Sequence, residues 1–334
     1  MLTIFSLDHR HSTVAEREPF VPGEAERRRL GAVTRRVALG QAALLLTCNR
    51  IALIPWLGDG RADLPRLEAL VDRVLPRTGA AFLRRARRLE GAEAITHLHR
   101  VAAGLESQVC GDSQVLGQVR AAYQEALAAR TIGPELHRLF QSVLGAGKRV
   151  RHETGLGRRA ASVGAVAATW LLRQGARRVL LVGAGRTIEE AGRVLVGEDR
   201  VVTIVNRRGE RGAELAARLG ACAAGWEERH SLLGAADAAI VATSAGEPVI
   251  MAGPLRQART SGAGAIRIVD LGVPRNVAAE VAGVPGVELT GLEAFHDSQE
   301  GLADRNAADA IVAAAAYRCG SWLALRGARR QAVA

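Results

Sequence analysis

Residues 44–53, LLLTCNRIAL, deliver Thr47, Cys48, Asn49 and Arg50 in succession from one apolar run and then return to another. The thiolate is the nucleophilic form of cysteine, and a neighbouring guanidinium or imidazolium lowers its pKa. Two readings of this spacing stand side by side: a nucleophile in an electropositive pocket, and a buried cysteine beside a turn.

A second set of chemistry-bearing residues lies in HLHRVAAGLESQVCGDSQVLGQVRAAY, residues 97–123, which sets His97, Gly104, Glu106, Ser107, Asp112, Gln114, Gly117 and Gln118 among apolar neighbours. Read as helix, this stretch pays about 1 kcal/mol for each interior glycine relative to alanine. The glycines therefore suggest close approach of another backbone or of a ligand. His97 is either a satisfied core histidine or a member of a polar site.

A third set is GAGRTI, residues 183–188, which follows the apolar run RRVLLV. Gly183, Ala184, Gly185 and Arg186 stand where a dinucleotide-binding turn brings backbone amides and a helix N-terminus to a pyrophosphate. Ile188 occupies the third glycine position of that pattern, where its branched side chain is expected to push the helix away from the sheet. At the end of the next apolar run stand Asn206, Arg207 and Arg208, where an NAD enzyme commonly carries an acidic residue. Arginine at that point suits a 2′-phosphate, so NADPH is the expected cofactor. Thr243, in the ATSAGEP stretch, is a further candidate for the cofactor loop.

The elements that must position these groups alternate. LTIFSLDHR reads as a strand, PGEAERRRLGAVTRR as a helix, QAALLLTCNR as a strand, IALIPWL as extended chain and DLPRLEALVDRVLPR as an amphipathic helix. From about residue 91 to 153 the pattern turns helical, with apolar spacing of three and four in AITHLHRVAAGL and ELHRLFQSVLGAGKRV. Ser162 is a plausible N-cap for VGAVAATWLLRQ. A βαβ series with a mostly parallel sheet follows, and the chain closes on one long helix. The fold class is α/β: an N-terminal α/β catalytic domain over residues 1–157, a Rossmann-like domain that binds NADPH over 158–292, and a C-terminal long helix over 293–334.

Composition narrows the partners. The 334 residues carry a formal charge of +11, which suits a polyanion such as nucleic acid. Arg27, Arg28 and Arg29, and then Arg84, Arg85, Arg87 and Arg88, could form its footprint or merely the solvated faces of helices. Cys48, Cys110, Cys222 and Cys319 lie far apart without a CxxC pair, so neither a metal site nor a disulfide framework is expected. With neither an apolar span of membrane length nor a signal-peptide layout, a soluble cytoplasmic protein with no membrane partner is expected.

TCNR, the 97–123 stretch, LFQSVLGAGKRVRHETGLG, VLLVGAGR, VNRR and DLGVPR occur in the order seen in glutamyl-tRNA reductases, and the opening SLDHRHSTVAERE is similar to that family's first strand. The resemblance covers nearly the whole chain. It implies NADPH-dependent reduction of glutamyl-tRNA, through a cysteine thioester, to glutamate-1-semialdehyde for tetrapyrrole synthesis, with an aminomutase acting downstream. On the resemblance, Cys48 matches the nucleophile, Arg50 the residue that recognises the substrate amino acid, and His97 the active-site histidine. Thr47 and Ser162 match further residues of the substrate pocket, and Gln114, Gly117 and Gln118 match the signature helix. Asn49, Ser107 and Asp112 complete the candidate substrate site.

The sequence departs from the family at Ala52, where a glutamate is usual, at Ile188, and at Ser244 and Ala245. Its end within or just after the long helix is expected to leave out the family's C-terminal dimerisation domain. The departures support two alternatives: a paralogue acting on a different aminoacyl-tRNA in specialised metabolism, or a non-reducing homologue that binds aminoacyl-tRNA or transfers its acyl group.

Overall fold

The structure is a computed structural model that describes residues 1–22, 25–26, 41–47, 49–57, 63–74, 79–112, 114–156, 162–259, 264–295 and 302–331. The chain forms two compact units, Met1–Ala160 with Asp297–Ala334, and Ala161–His296.

The first unit is built on β1 (Thr3–Asp8), β2 (Gln41–Thr47), β3 (Arg50–Trp56) and β4 (Arg87–Glu90), in the order β2-β3-β1-β4. Every pairing is antiparallel. The strands read as near-continuous apolar runs because both faces are covered. Leu2, Ile4, Ala43, Leu45, Ala52 and Ile54 pack on one side beneath α4 (Gly91–Ala102), α5 (Val115–Ala128) and α6 (Pro134–Glu153). Phe5, Leu7, Ile51 and Leu53 pack on the other with residues of α2 (Leu64–Val74) and α3 (Gly79–Arg85), and with Phe20 beyond the single turn α1 (Val14–Arg17). The helix expected from PGEAERRRLGAVTRR, with Arg27, Arg28 and Arg29, lies largely outside the described residues. Arg84, Arg85, Arg87 and Arg88 are exposed, the last two on edge strand β4, where they pair with Glu93 and Glu90.

The stretch 97–123, read as helix, is interrupted. Alpha-helix α4 ends at Ala102 and α5 begins at Val115, with an irregular loop between them. Gly104 and Gly111 cause the break: both sit at positive φ, +77° and +79°, where side chains other than glycine are strained. Gly111 N donates to Gly104 O at 3.0 Å, and a Cβ on Gly104 would lie 2.9 Å from Gly111 Cα. The close approach expected of these glycines is real, but it belongs to a pinched loop and not to a helix interior.

In the second unit, α7 (Val163–Arg173) precedes β5 (Arg178–Val182), α8 (Arg186–Leu195), β6 (Val201–Val205), α9 (Gly209–Leu219) and β7 (Cys222–Ala224). Then come α10 (Arg229–Ala235), β8 (Ala238–Val241), α11 (Ala252–Ala258), β9 (Ile266–Asp270) and β10 (Val287–Gly291). The six strands run in the order β10-β9-β8-β5-β6-β7, all parallel. The order reverses between β5 and β8, and such a switch point opens a crevice at the carboxyl ends of the strands. The long terminal helix α12 (Leu302–Gln331) packs on the first unit, burying Ala316, Cys319 and Leu323 in the same core as α4–α6. No helix among the described residues is long and apolar enough to cross a membrane.

Candidate functional site

The β2–β3 hairpin pairs Thr47 with Arg50, and Asn49 lies in its turn. Cys48 itself lies outside the described residues. Strand periodicity puts Thr47, Arg50 and Asp8 on the sheet face that α4 covers, because each shares its parity with residues of that core. Arg50 is 3% exposed, and its Nη2 donates to the backbone carbonyl of Glu106 at 3.1 Å and lies 4.0 Å from Asp8 Oδ2. Asn49 N donates to Thr47 Oγ1 at 3.1 Å, and His9 N donates to Asn49 O at 3.0 Å, which ties the hairpin tip to the end of β1.

Three buried polar atoms around this tip find no hydrogen-bond partner among the described residues: Asn49 Oδ1, His9 Nδ1 and Nε2 of His97. Such atoms cost free energy in a closed core and mark a place prepared for a polar ligand or water. Burial, reinforced by the Arg50 charge, brings both His97 and His9 down to about 4. Near neutral pH both rings are therefore uncharged, and His97 serves as a neutral donor or acceptor. Near Arg50, neither His97 nor His9 supplies an imidazolium at neutral pH. Burial pushes the Asp8 carboxyl up, but the Arg50 charge and the His11 hydrogen bond outweigh it and hold the group below its ordinary range.

The remaining candidates lie on the pinched loop and the start of α5. Asp112 is buried, and its Oδ1 accepts from Gln114 N at 2.8 Å, an arrangement that turns the chain into the helix. Ser107, Gln114 and Gln118 are half-buried, whereas Gly117 is exposed with open space where a Cβ would stand. Ser162 lies in the second unit, where its hydroxyl accepts from Ala165 N at 3.2 Å as the N-cap of α7, as the local sequence anticipated.

The nucleotide turn lies at the switch point. Gly183 has φ +121°, and a Cβ there would run into the carbonyl of Ala242 just beyond β8. Gly185 caps α8, with open space where its Cβ would be, Ala184 is half-buried and Arg186 is exposed. This glycine cradle ahead of a helix N-terminus fits a dinucleotide pyrophosphate. Ile188 is fully buried, and its Cγ1 would lie 3.3 Å from a Cβ on Gly183. It is a core residue of the turn. Asn206 Nδ2 donates to Arg208 O at 2.8 Å, which leaves the exposed Arg207 and Arg208 at the carboxyl end of β6.

Sequence reasoning passed over several residues that hold these sites. Glu106, one of the polar residues noted in its stretch but not placed in the site, is clamped by Arg10 Nη1 at 2.6 Å and Arg100 Nε at 2.6 Å. Burial opposes its ionisation, but the Arg100 hydrogen bond and the Arg10 charge keep its carboxyl below the ordinary range. In the second unit Asp270 accepts from the backbone amides of Gly272, Asn276 and Val277, each at 2.9 Å. Asn276 is fully buried, and its Oδ1 accepts from Thr243 N at 2.6 Å, which fixes the cofactor-loop candidate. The motif DLGVPR carries the signal for this clip, an aspartate just ahead of a Gly-Val-Pro turn.

A six-stranded parallel sheet with a glycine cradle at its switch point, on the same chain as a unit with a buried, arginine-centred polar site, defines a Rossmann-containing α/β protein of the dehydrogenase type. Residues 5–154 match the family model for the N-terminal domain of glutamyl-tRNAGlu reductase, and residues 166–297 match that for shikimate/quinate 5-dehydrogenase. A glutamyl-tRNA reductase of Rubrobacter xylanophilus is 36% identical over 326 residues, covering 95% of this chain and 74% of that protein. One from Chloroflexus aggregans is 38% identical over 265 residues, covering 75% and 58%. The solved glutamyl-tRNA reductase of Methanopyrus kandleri superimposes with a TM-score of 0.51 at 29% identity, covering 97% of this chain and 80% of that one. The chain belongs to the glutamyl-tRNA reductase family. It spans 58–61% of the length of the curated relatives it matches in Chloroflexus and Salinibacter.

Proposed function

We propose that the protein reduces glutamyl-tRNA with NADPH to glutamate-1-semialdehyde, through a thioester on Cys48. The observation that carries this reading is the buried Arg50, held at the base of the Thr47–Arg50 hairpin beside His97, whose Nε2 has no partner among the described residues. The Cys48 thiolate attacks the ester carbonyl carbon, the C–O bond to the tRNA ribose breaks, and the ribose oxygen leaves with a proton. Arg50 supplies positive charge to the thiolate or to the substrate carboxylate. His97, neutral near pH 7, offers Nε2 to hold or pass the proton. Gly183, Ala184, Gly185 and Arg186 would hold the cofactor's pyrophosphate, and Arg207 and Arg208 its 2′-phosphate. When bound, NADPH supplies the hydride that turns the thioester into an aldehyde and returns the cysteine as thiolate. The aldehyde would then pass to an aminomutase.

Ala52 favours a second reading. It is 1% exposed in the core, two residues from Arg50 on the same strand face, where the family usually has a glutamate. A paralogue that has lost this carboxylate could take a different aminoacyl-tRNA.

Incubation of the protein and NADPH with a panel of charged tRNAs, with mass detection of the Cys48 adduct, separates the two. Glutamate-1-semialdehyde from glutamyl-tRNA, with no adduct in Cys48→Ser, is the expected result. A product from another amino acid, with none from glutamate, would establish the second reading. Failure of NADPH to bind at millimolar concentration would leave only a non-reducing role in binding or acyl transfer.

A further inference from the structure

The substrate arginine is connected to the far end of the chain by an unbroken line of polar contacts. Arg50 Nη2 donates to the backbone carbonyl of Glu106 at 3.1 Å. Glu106 sits in a loop outside any helix or strand, held by its side chain, by the Gly104–Gly111 pinch, by Leu105 N donating to Arg100 O at 3.0 Å and by Arg10 Nη2 donating to Leu105 O at 3.2 Å. That side chain accepts from Arg100 Nε at 2.6 Å, and the other end of the same guanidinium, Nη1, donates to Asp309 Oδ1 on α12. Nearby, Asp304 Oδ1 accepts from Gly155 N at 2.9 Å, and Ala308 and Val312 are buried against Ala103, Leu105, Val150 and Leu156. The terminal helix is thus the wall against which the loop is set.

We infer that Asp309 is a positioning residue for Arg50, acting through Arg100 and the Glu106 carbonyl. Arg100 lies between two carboxylates, and removal of Asp309 frees it to turn away from α12 while still satisfying its charge in solvent. Glu106 retains Arg10, but that arginine approaches the other carboxylate oxygen and is more exposed, with 47% of its side chain accessible against 32% for Arg100. The loop then loses its tie to α12, and the carbonyl that accepts from the Arg50 guanidinium is held less firmly. An ordinary exposed ion pair would do none of this, since such pairs contribute little to stability. The inference rests on the proposed aminoacyl-tRNA reading for its catalytic meaning, but not for its structural content.

Hydrogen exchange on the full chain tests it directly. In Asp309→Ala, amides of residues 103–112 and of Asn49 and Arg50 should exchange about five-fold faster than in the parent, within the range that contacts remote from a site transmit. The Rossmann-like unit should be unchanged, and Asp309→Glu should restore much of the protection. Unchanged exchange at both segments would overturn the inference, whatever the activity. Kinetics give a second readout: KM for the charged tRNA should rise about five-fold at nearly constant kcat, and the effect should vanish in an Arg50→Lys background. A stability loss without this KM shift, or an equal loss in both backgrounds, would reduce Asp309 to a structural role. Parent turnover on glutamyl-tRNA, measured alongside, tests the proposed activity separately, because the exchange result stands without it.

Discussion

Arg50 is held by the backbone carbonyl of Glu106 at 3.1 Å, while the Asp8 carboxylate stands off at 4.0 Å. The guanidinium thus meets both a neutral acceptor and a carboxylate, and its planar fork suits a further anion. Arg50→Lys keeps the charge but loses the planar donor fork, so charge-assisted contacts worth about 1.5–3 kcal/mol should go. That corresponds to a fall in kcat/KM of about 10- to 100-fold on the proposed substrate, measured by steady-state kinetics.

His97 makes the first unit sensitive to acid. Its folded pKa of about 4 lies below the ordinary 6.5, so the folded state binds fewer protons than the unfolded chain between those values. The stability it contributes is therefore full above pH 6.5 and is lost progressively as pH falls toward 4; with His9 shifted in the same direction, the two losses add. For His97 alone the span is about 3 kcal/mol. Urea midpoints measured from pH 7.5 to 4 should fall through this window, and His97→Gln should flatten the curve. An equally steep curve in the variant would place the acid sensitivity elsewhere.

Gly183→Ala should damage the nucleotide turn twice over. The φ of +121° strains any L side chain, and the new methyl would meet the Ala242 carbonyl. A loss of about 2 kcal/mol or more in unfolding free energy is expected. Fluorescence titration should show NADPH affinity falling by at least about ten-fold, the equivalent of 1.4 kcal/mol.

Ile188 tests the opposite kind of change. Restoring the glycine-like smallness of the usual motif by Ile188→Ala should not improve the protein, because the side chain is fully buried. The cavity should cost about 2–5 kcal/mol in chemical denaturation. Unchanged stability would mean that the turn can close over the missing methyl groups.

Asp270 accepts three backbone amides at once and positions Asn276, which in turn holds Thr243. Asp270→Ala strands those donors, so a loss of about 2–4 kcal/mol is expected. NADPH binding should weaken with it in the same titration, through the displaced Thr243 loop.

Local patterns carried the reading of the sequence wherever neighbours in the chain are neighbours in space. The two extended runs joined by a turn near Arg50, the Ser162 cap and the parallel series around GAGRTI were legible for that reason: turn chemistry, capping and alternating apolar runs are set within a few residues. The 103–114 loop was misread because its apolar spacing resembles a helix. Only the pinch of Gly104 on Gly111, a contact between two points of the folded loop, shows why the helix must break there. Likewise the sequence named Arg50 and His97 as the groups able to do chemistry, since residue type decides what a side chain can donate, accept or carry. Their states belong to the tertiary structure. Glu106 lies 56 residues from Arg50 and Asp309 lies 209 from Arg100, and the burial of His97 on α4 makes it neutral. Charge, protonation and aim depend on distance and desolvation, and those exist only once the chain has folded.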